Sequence, residues 1–442
     1  MSKKDTIIKG TFILTITGFL SRFIGFFYRI FLSRTFHAEG MGFYQLVFPI
    51  FALGFSFTSA GIEVALSRLV AQKCALGKQT EAKQSLFAGL FLSLSCSTIV
   101  MLLIQSNTRW IARYVLQDIR CAELLLPLSY IFPFAAIHSC ICGYYLGLKQ
   151  TKQLAISQLI EQTLRVLSVW FICACLIQRQ KTLPVSIMVI GLVLGEIGAA
   201  LYCVFTWNRT NTISSTKPNS KNHPFLRIRE LLALSAPLTA NRVLLNILQS
   251  IEAVSIPASL LLYGLSDKEA LSLYGILTGM AMPCIFFPSA ITNSIATMLL
   301  PTIAEVQTQK DHQTLLHLIK KVSVCVFSLG CFCTVAFFIF GNCIGNLLFH
   351  SAVAGKFIIT LAWICPFMYS NTTLISILNG LGKVSVAFLI NTFGLCIRIL
   401  SVYLLIPKFG ILGYLWGLLG SQFLISLLAL NTLKQYFSNH IF

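Results

Sequence analysis

The chain has 442 residues, of which 56% are hydrophobic and 11% charged, with a formal net charge of +19. Charged residues at less than half the soluble-domain share, with apolar runs near twenty residues recurring throughout, exclude a soluble globular protein and indicate a polytopic helical membrane protein. The cationic excess fits positively charged cytoplasmic loops and contact with anionic lipid; without a soluble module to carry a recognition motif, nucleic acid is not an expected partner.

Residues 1–9 form a short basic lead to a first span at residues 10–32. That span is too long for a signal-peptide core and has no small-residue cleavage site, so it is expected to remain as a helix. It carries Arg22 near its middle and Arg29 about two turns later on the same face. Ionisable groups inside a span are costly and usually face a bundle interior or a water-filled cavity. Arg22 is too deep to reach an interface easily, whereas Arg29 either lines the cavity or snorkels outward. The second span, residues 42–69, contains Glu63, expected either to couple a cation or to pair with an arginine on another helix. Arg68 marks its cytoplasmic end.

A third span covers residues 85–104, followed by an expected external loop at 105–120. The fourth, residues 122–148, contains Pro127 and Pro133, each of which removes a backbone donor and favours a bend. In the fifth, residues 154–177, Glu161 and Arg165 stand one turn apart, so the carboxylate can neutralise the guanidinium within the helix. The sixth, residues 184–207, presents Gly191, Gly195 and Gly198 as a face for close helix packing. Its Glu196 is either a cavity carboxylate or a hydrogen-bond partner for a neighbouring helix.

The polar stretch at residues 208–229 reads as a cytoplasmic linker. Beyond it lie spans at 231–262, with Pro237, Arg242 and Glu252, and at 271–300, 322–344, 357–379, 384–406 and 411–430. Arg398, in the eleventh, has Gly394 where Arg165 has Glu161, and so lacks an acidic partner on its own helix. The last span repeats the glycine face at Gly413, Gly417 and Gly420.

The two halves are related. A shift of 233 residues sets IFPF at 131–134 on ICPF at 364–367, and Gly147, Leu148 and Arg165 on Gly380, Leu381 and Arg398. The expected organisation is an N-lobe of six helices at 1–207, the linker at 208–229 and a C-lobe of six helices at 230–442. Six helices per half makes these parallel repeats, an arrangement that places substrate between lobes near the midplane and alternates access by rocking them. Lysine and arginine number 18 in the expected cytoplasmic segments against 9 outside, supporting two cytoplasmic termini. The three arginines of the 105–120 loop run against that trend.

The fifteen cysteines lie mostly within apolar runs. Pairs such as Cys140/Cys142 and Cys173/Cys175 point to different faces of a helix, which fits small apolar fillers better than a redox or zinc motif. The seven histidines show no metal-ligand spacing, and no nucleotide-binding loop is present. No metal, cofactor or enzymatic activity is expected. Span arginines outnumber Glu63, Glu161, Glu196 and Glu252, and guanidinium groups bind phosphate oxygens bidentately, so the cavity suits an anionic ligand.

The segment GYYLGLKQ…AISQLIEQTLRV within residues 139–166 resembles the hallmark of the stage V sporulation protein B-like polysaccharide transporters. SRFIGFFYRIFLSR and GILTGMAMPCIFFPSAITNSIATMLLPTIAE resemble the same family's signatures. TSAGIEVALSRLVAQ does so too, with Glu63 where a small residue or proline is usual, and Glu252 stands at a usual aspartate position. This resemblance implies the MATE-like fold of the multidrug/oligosaccharidyl-lipid/polysaccharide exporters, all-α with about twelve transmembrane helices. It implies a monomer in the bacterial plasma membrane that flips polyprenyl-diphosphate-linked saccharide for cell-wall, spore-cortex or polysaccharide synthesis. Its cavity arginines would be Arg22, Arg29 and Arg242 with Arg165 or Arg398, and Glu63, Glu161, Glu196 and Glu252 would couple a cation or pair charge. The alternative is a cation-coupled multidrug antiporter of the same superfamily.

Overall fold

The computed structural model describes residues 3–212, 224–308 and 312–441, and these fold into helices alone. Residues 213–223 of the expected 208–229 linker lie outside the described residues. The chain divides into two compact units, one made of Met1–Tyr28 and Phe43–Ser250, the other of Arg29–Gly42 and Ile251–Phe442.

Unit one begins with α1 (Lys3–Phe55), which lends its 29–42 segment to unit two and breaks at His37, where φ is +58°. One π-helical turn leads to α2 (Gly61–Ala75), followed by α3 (Gln79–Ser106), α4 (Ala122–Ser129), α5 (Ile131–Gly147), α6 (Thr151–Gln178) and α7 (Ser186–Thr212). Next, α8 (Pro224–Leu262) passes from unit one to unit two between Ser250 and Ile251. The division therefore falls inside a helix rather than at the polar stretch after residue 207. Unit two continues with α9 (Asp267–Gly275), α10 (Ser289–Thr308), α11 (His312–Phe349), α12 (Ala352–Ala362), α13 (Cys365–Gly380), α14 (Val384–Leu404) and α15 (Ile411–Ile441).

Among the described residues nine helical stretches are long and apolar enough to cross a membrane, or eleven when each of two bent pairs is one span. The stretch Thr15–Ala75, 61 residues broken at His37, is long enough for two crossings of about 20 residues each. That brings the count to the twelve expected. Both bends fall at the repeated motif: α4 meets α5 at 44° before Pro133, and α12 meets α13 at 56° before Pro366. The same local chemistry, a proline within IFPF or ICPF, ends the preceding hydrogen-bond ladder in each half.

Glycine sets the close helix approaches. A Cβ at Gly195 would stand 2.7 Å from the Glu161 carbonyl and 3.1 Å from Arg165 Cβ, so α7 lies directly on the charged turn of α6. A Cβ at Gly143 would stand 2.7 Å from the Glu63 carbonyl, and one at Gly147 equally close to that of Ser67, which brings α5 onto α2. At one end of unit one Glu81 joins Lys73, Lys78 and Arg227 at 3.1, 3.3 and 2.8 Å, tying the α2–α3 connection to the start of α8. Leu231, one turn further, is fully buried among Leu66, Leu86 and Tyr145.

Candidate transport site

The glycine approaches concentrate charge inside unit one. Glu161 and Arg165 form their one-turn ion pair on α6. Beside it, His138 of α5 is held on both ring nitrogens, Nδ1 at 2.7 Å from Glu196 Oε1 and Nε2 at 3.1 Å from Ser157 Oγ. Glu196 thus bonds to a neighbouring helix, one of the two roles open to it from sequence. Glu63 makes no ion pair among the described residues but lies in the field of His138, Arg242 and Glu196. Three carboxylates therefore share a region in which Arg165, Arg242 and one titratable imidazole supply the opposing charge. Ligating atoms of His138, Glu161 and Glu196 lie within 4.8 Å of one another, as do those of His138, Cys142 and Cys203.

His138 is the residue that sequence reasoning passed over, because its partners come from other helices and not from a linear ligand motif. A signal existed: the 233-residue shift places His138 on Asn371, a second polar residue within an apolar span. Asn371 performs the analogous task in unit two, donating to Gln422 Oε1 at 2.8 Å and accepting from Ser426 at 2.6 Å.

The arginines separate into three kinds. Arg22 of α1 and Arg242 of α8 lie near the middles of long helices, exposed, with no ion pair or hydrogen bond among the described residues. Arg165 is committed to Glu161 through one amino group, yet its Nε is buried without an acceptor among the described residues. The hydroxyls of Ser21 and Tyr28, two turns apart on α1, are likewise buried without partners among the described residues, and Tyr28 lies in the field of Arg165. In unit two, Arg29 Nη1 reaches the Thr278 carbonyl at 3.4 Å, so Arg22 and Arg29 contribute to different units although one helix carries both. Arg398 is also engaged. Its Nε donates to Glu252 Oε1 at 2.7 Å, and Tyr414 OH donates to the same oxygen at 2.8 Å. The partner that Arg398 lacks on its own helix is supplied by α8. Its remaining surface faces a cavity of only about 50 Å³ shared with Gln422 and Met282, room for water and not for a diphosphate.

The sequence matches the profile of the polysaccharide biosynthesis protein family over residues 7–307, more than half of the chain. The chain belongs to this family. Among its relatives is stage V sporulation protein B of Bacillus subtilis (strain 168), 29% identical over 98% of this chain and 84% of that protein. Lipid II flippase MurJ of the same organism is 22% identical over 71% of this chain and 60% of its own length. Among solved structures, lipid II flippase MurJ in an inward closed conformation aligns with a TM-score of 0.74 at 15% identity, covering 96% of this chain and 87% of that one. An inward-facing multidrug resistance MATE family transporter aligns with a TM-score of 0.72 at 13% identity, covering 95% of both chains. This polysaccharide biosynthesis family member is a multi-pass membrane protein that shares the fold of these two transporters.

Proposed function

We propose that the protein flips a polyprenyl-diphosphate-linked saccharide from the inner to the outer leaflet of a bacterial plasma membrane by alternating access, both termini lying in the cytoplasm. The observation that carries this reading is the set of buried donors in unit one without acceptors among the described residues, Arg165 Nε on α6 and Tyr28 OH and Ser21 Oγ on α1, with Arg22 of α1 making no ion pair among them. An unsatisfied buried donor costs about 1–3 kcal/mol, and such a set is satisfied by an anionic, oxygen-rich ligand. A diphosphate supplies that chemistry. Arg22 and Arg242 are assigned to hold it bidentately, while Arg165 donates through its free Nε. Arg398 and Glu252 are assigned to charge pairing, and Arg29 to a secondary contact. The cluster of His138, Glu161 and Glu196, with Glu63 beside it, is assigned to a coupling cation, for which its surplus of carboxylates is suited. The protein is expected to act as a monomer, without cofactor and without catalysing a covalent step.

The test is flipping of a fluorescent polyprenyl-diphosphate sugar in proteoliposomes by wild type, Arg22→Ala and Arg242→Ala. Wild-type flipping lost in both variants is the expected result. Absence of flipping by the wild type, together with gradient-driven export of an organic cation, would replace this reading with a multidrug antiporter.

A further inference from the structure

The loop after α3 carries Arg109, Arg113 and Arg120, an accumulation of positive charge that the expected external side of a span does not call for. The structure accounts for one of the three. Arg120 forks onto Asp118, with Nε 3.0 Å from Oδ1 and Nη2 2.7 Å from Oδ2, and its guanidinium lies 4.6 Å from the centre of the Phe43 ring. Arg109 and Arg113 have no such employment. They are exposed, stand one turn apart and make no ion pair or hydrogen bond among the described residues.

Both line a single open cavity of about 790 Å³. Its walls include Trp110 and Tyr114, whose ring centres are 5.8 Å apart, and Gln117 and Glu123. A ligand pocket commonly measures about 300–1,000 Å³, so this one has room for more than a single phosphate. Trp110 is also part of the wall of a second cavity, about 460 Å³, lined by Val100, Leu103, Ile104, Asn107 and Ile111 at the end of α3. One tryptophan therefore divides a cationic, aromatic compartment from an apolar groove on the flank of a membrane span. Its backbone is held by the helical turns Thr108–Trp110 and Ile111–Val115 and by Asp118 N–H donating to the Ala112 carbonyl at 3.0 Å.

We propose that these two cavities form a docking site for the lipid-linked saccharide at the membrane surface, separate from the buried donors of unit one. Arg109 and Arg113 take the diphosphate, Trp110 and Tyr114 offer stacking faces to the sugar rings, and Gln117 and Glu123 meet sugar hydroxyls. The first isoprenyl units lie in the groove beside α3. The juxtaposition selects this ligand over an ordinary phospholipid because it supplies sugar-sized volume and aromatic faces as well as phosphate-binding charge. The ligand class rests on the function proposed above, and an external position for the loop makes this the place where the flipped head emerges.

The experiment counts lipids. Native mass spectrometry of the purified full chain with a short-chain polyprenyl-diphosphate disaccharide is expected to show two bound molecules on the wild type and one on Arg109→Gln/Arg113→Gln. The lost molecule is the one bound at least tenfold more weakly by Trp110→Ala, and excess phosphatidylglycerol does not displace it. Two molecules retained by the double-arginine variant, or displacement by phosphatidylglycerol at equal concentration, would overturn the docking site. Arg22→Ala/Arg242→Ala separates this outcome from the transport reading: it is expected to abolish flipping and to retain the Arg109/Arg113-dependent molecule. Loss of that molecule in Arg22→Ala/Arg242→Ala, whose loop is intact, would also overturn it. A wild type that flips the lipid while Arg109→Gln/Arg113→Gln binds unchanged leaves transport standing and removes the docking site alone.

Discussion

Arg398 Nε donates to Glu252 Oε1 at 2.7 Å, joining α14 to α8 across 146 positions of sequence. Glu252 is nearly inaccessible, and the same oxygen accepts Tyr414 OH, so the carboxylate closes a three-helix network within unit two. Removing one member of a buried pair leaves the other charge uncompensated, at a cost of about 3–5 kcal/mol, whereas replacing both with apolar groups of similar volume is often neutral. Glu252→Ala is accordingly expected to lower the unfolding temperature of the purified protein sharply, and Glu252→Leu/Arg398→Met to recover most of it. A double variant no more stable than Glu252→Ala would show that the network is needed for more than charge balance.

The two glycine faces make a sharper comparison than their sequences suggest. A Cβ at Gly195 collides with the α6 backbone, while one at Gly420 meets nothing within 4 Å. Overpacking a close interface costs about 1–3 kcal/mol, and alanine in an unobstructed helical position gains about 0.5–1 kcal/mol over glycine. Thermal unfolding should therefore place Gly195→Ala below wild type and Gly420→Ala at or above it.

These glycines also mark how far the sequence can be read. Gly191, Gly195 and Gly198 announce a close contact, and Pro133 and Pro366 announce the paired bends, because each acts through its own backbone. The Glu161–Arg165 pair is legible for the same reason: four residues on a helix fix the distance. His138–Glu196 and Arg398–Glu252 are not legible, since both depend on which helices become neighbours. The division of the chain inside α8 is hidden likewise. A continuous apolar helix gives no compositional sign of where its packing partners change.

His138 is gripped by Glu196 and Ser157 at once, so its protonation is tied to the carboxylate on α7. Glu196→Gln keeps the shape and a hydrogen-bonding side chain but removes the charge, while His138→Gln removes the titrating ring. If the cluster couples transport to a cation, both variants should flip lipid without responding to an imposed proton or sodium gradient. Wild-type gradient response in either variant, with only a lowered unfolding temperature, would reduce the cluster to a structural network.

Arg22 and Arg165 differ in what they leave behind. Arg22 is exposed and makes no ion pair among the described residues, so Arg22→Gln orphans no carboxylate there and should unfold at the wild-type temperature. Arg165→Gln abandons Glu161 among Glu196 and His138, and destabilisation of about 3 kcal/mol or more is expected from the uncompensated charge. Adding Glu161→Gln removes that charge and should restore folding. Ligand recognition should not return with it, because the donor Arg165 Nε is gone in the double variant as in the single one. A soluble diphosphate sugar analogue is thus expected to raise the unfolding temperature of wild type, and to raise it far less in Arg22→Gln and in Glu161→Gln/Arg165→Gln. An equal rise in all three proteins would mean that the buried donors of unit one serve the fold and not the substrate.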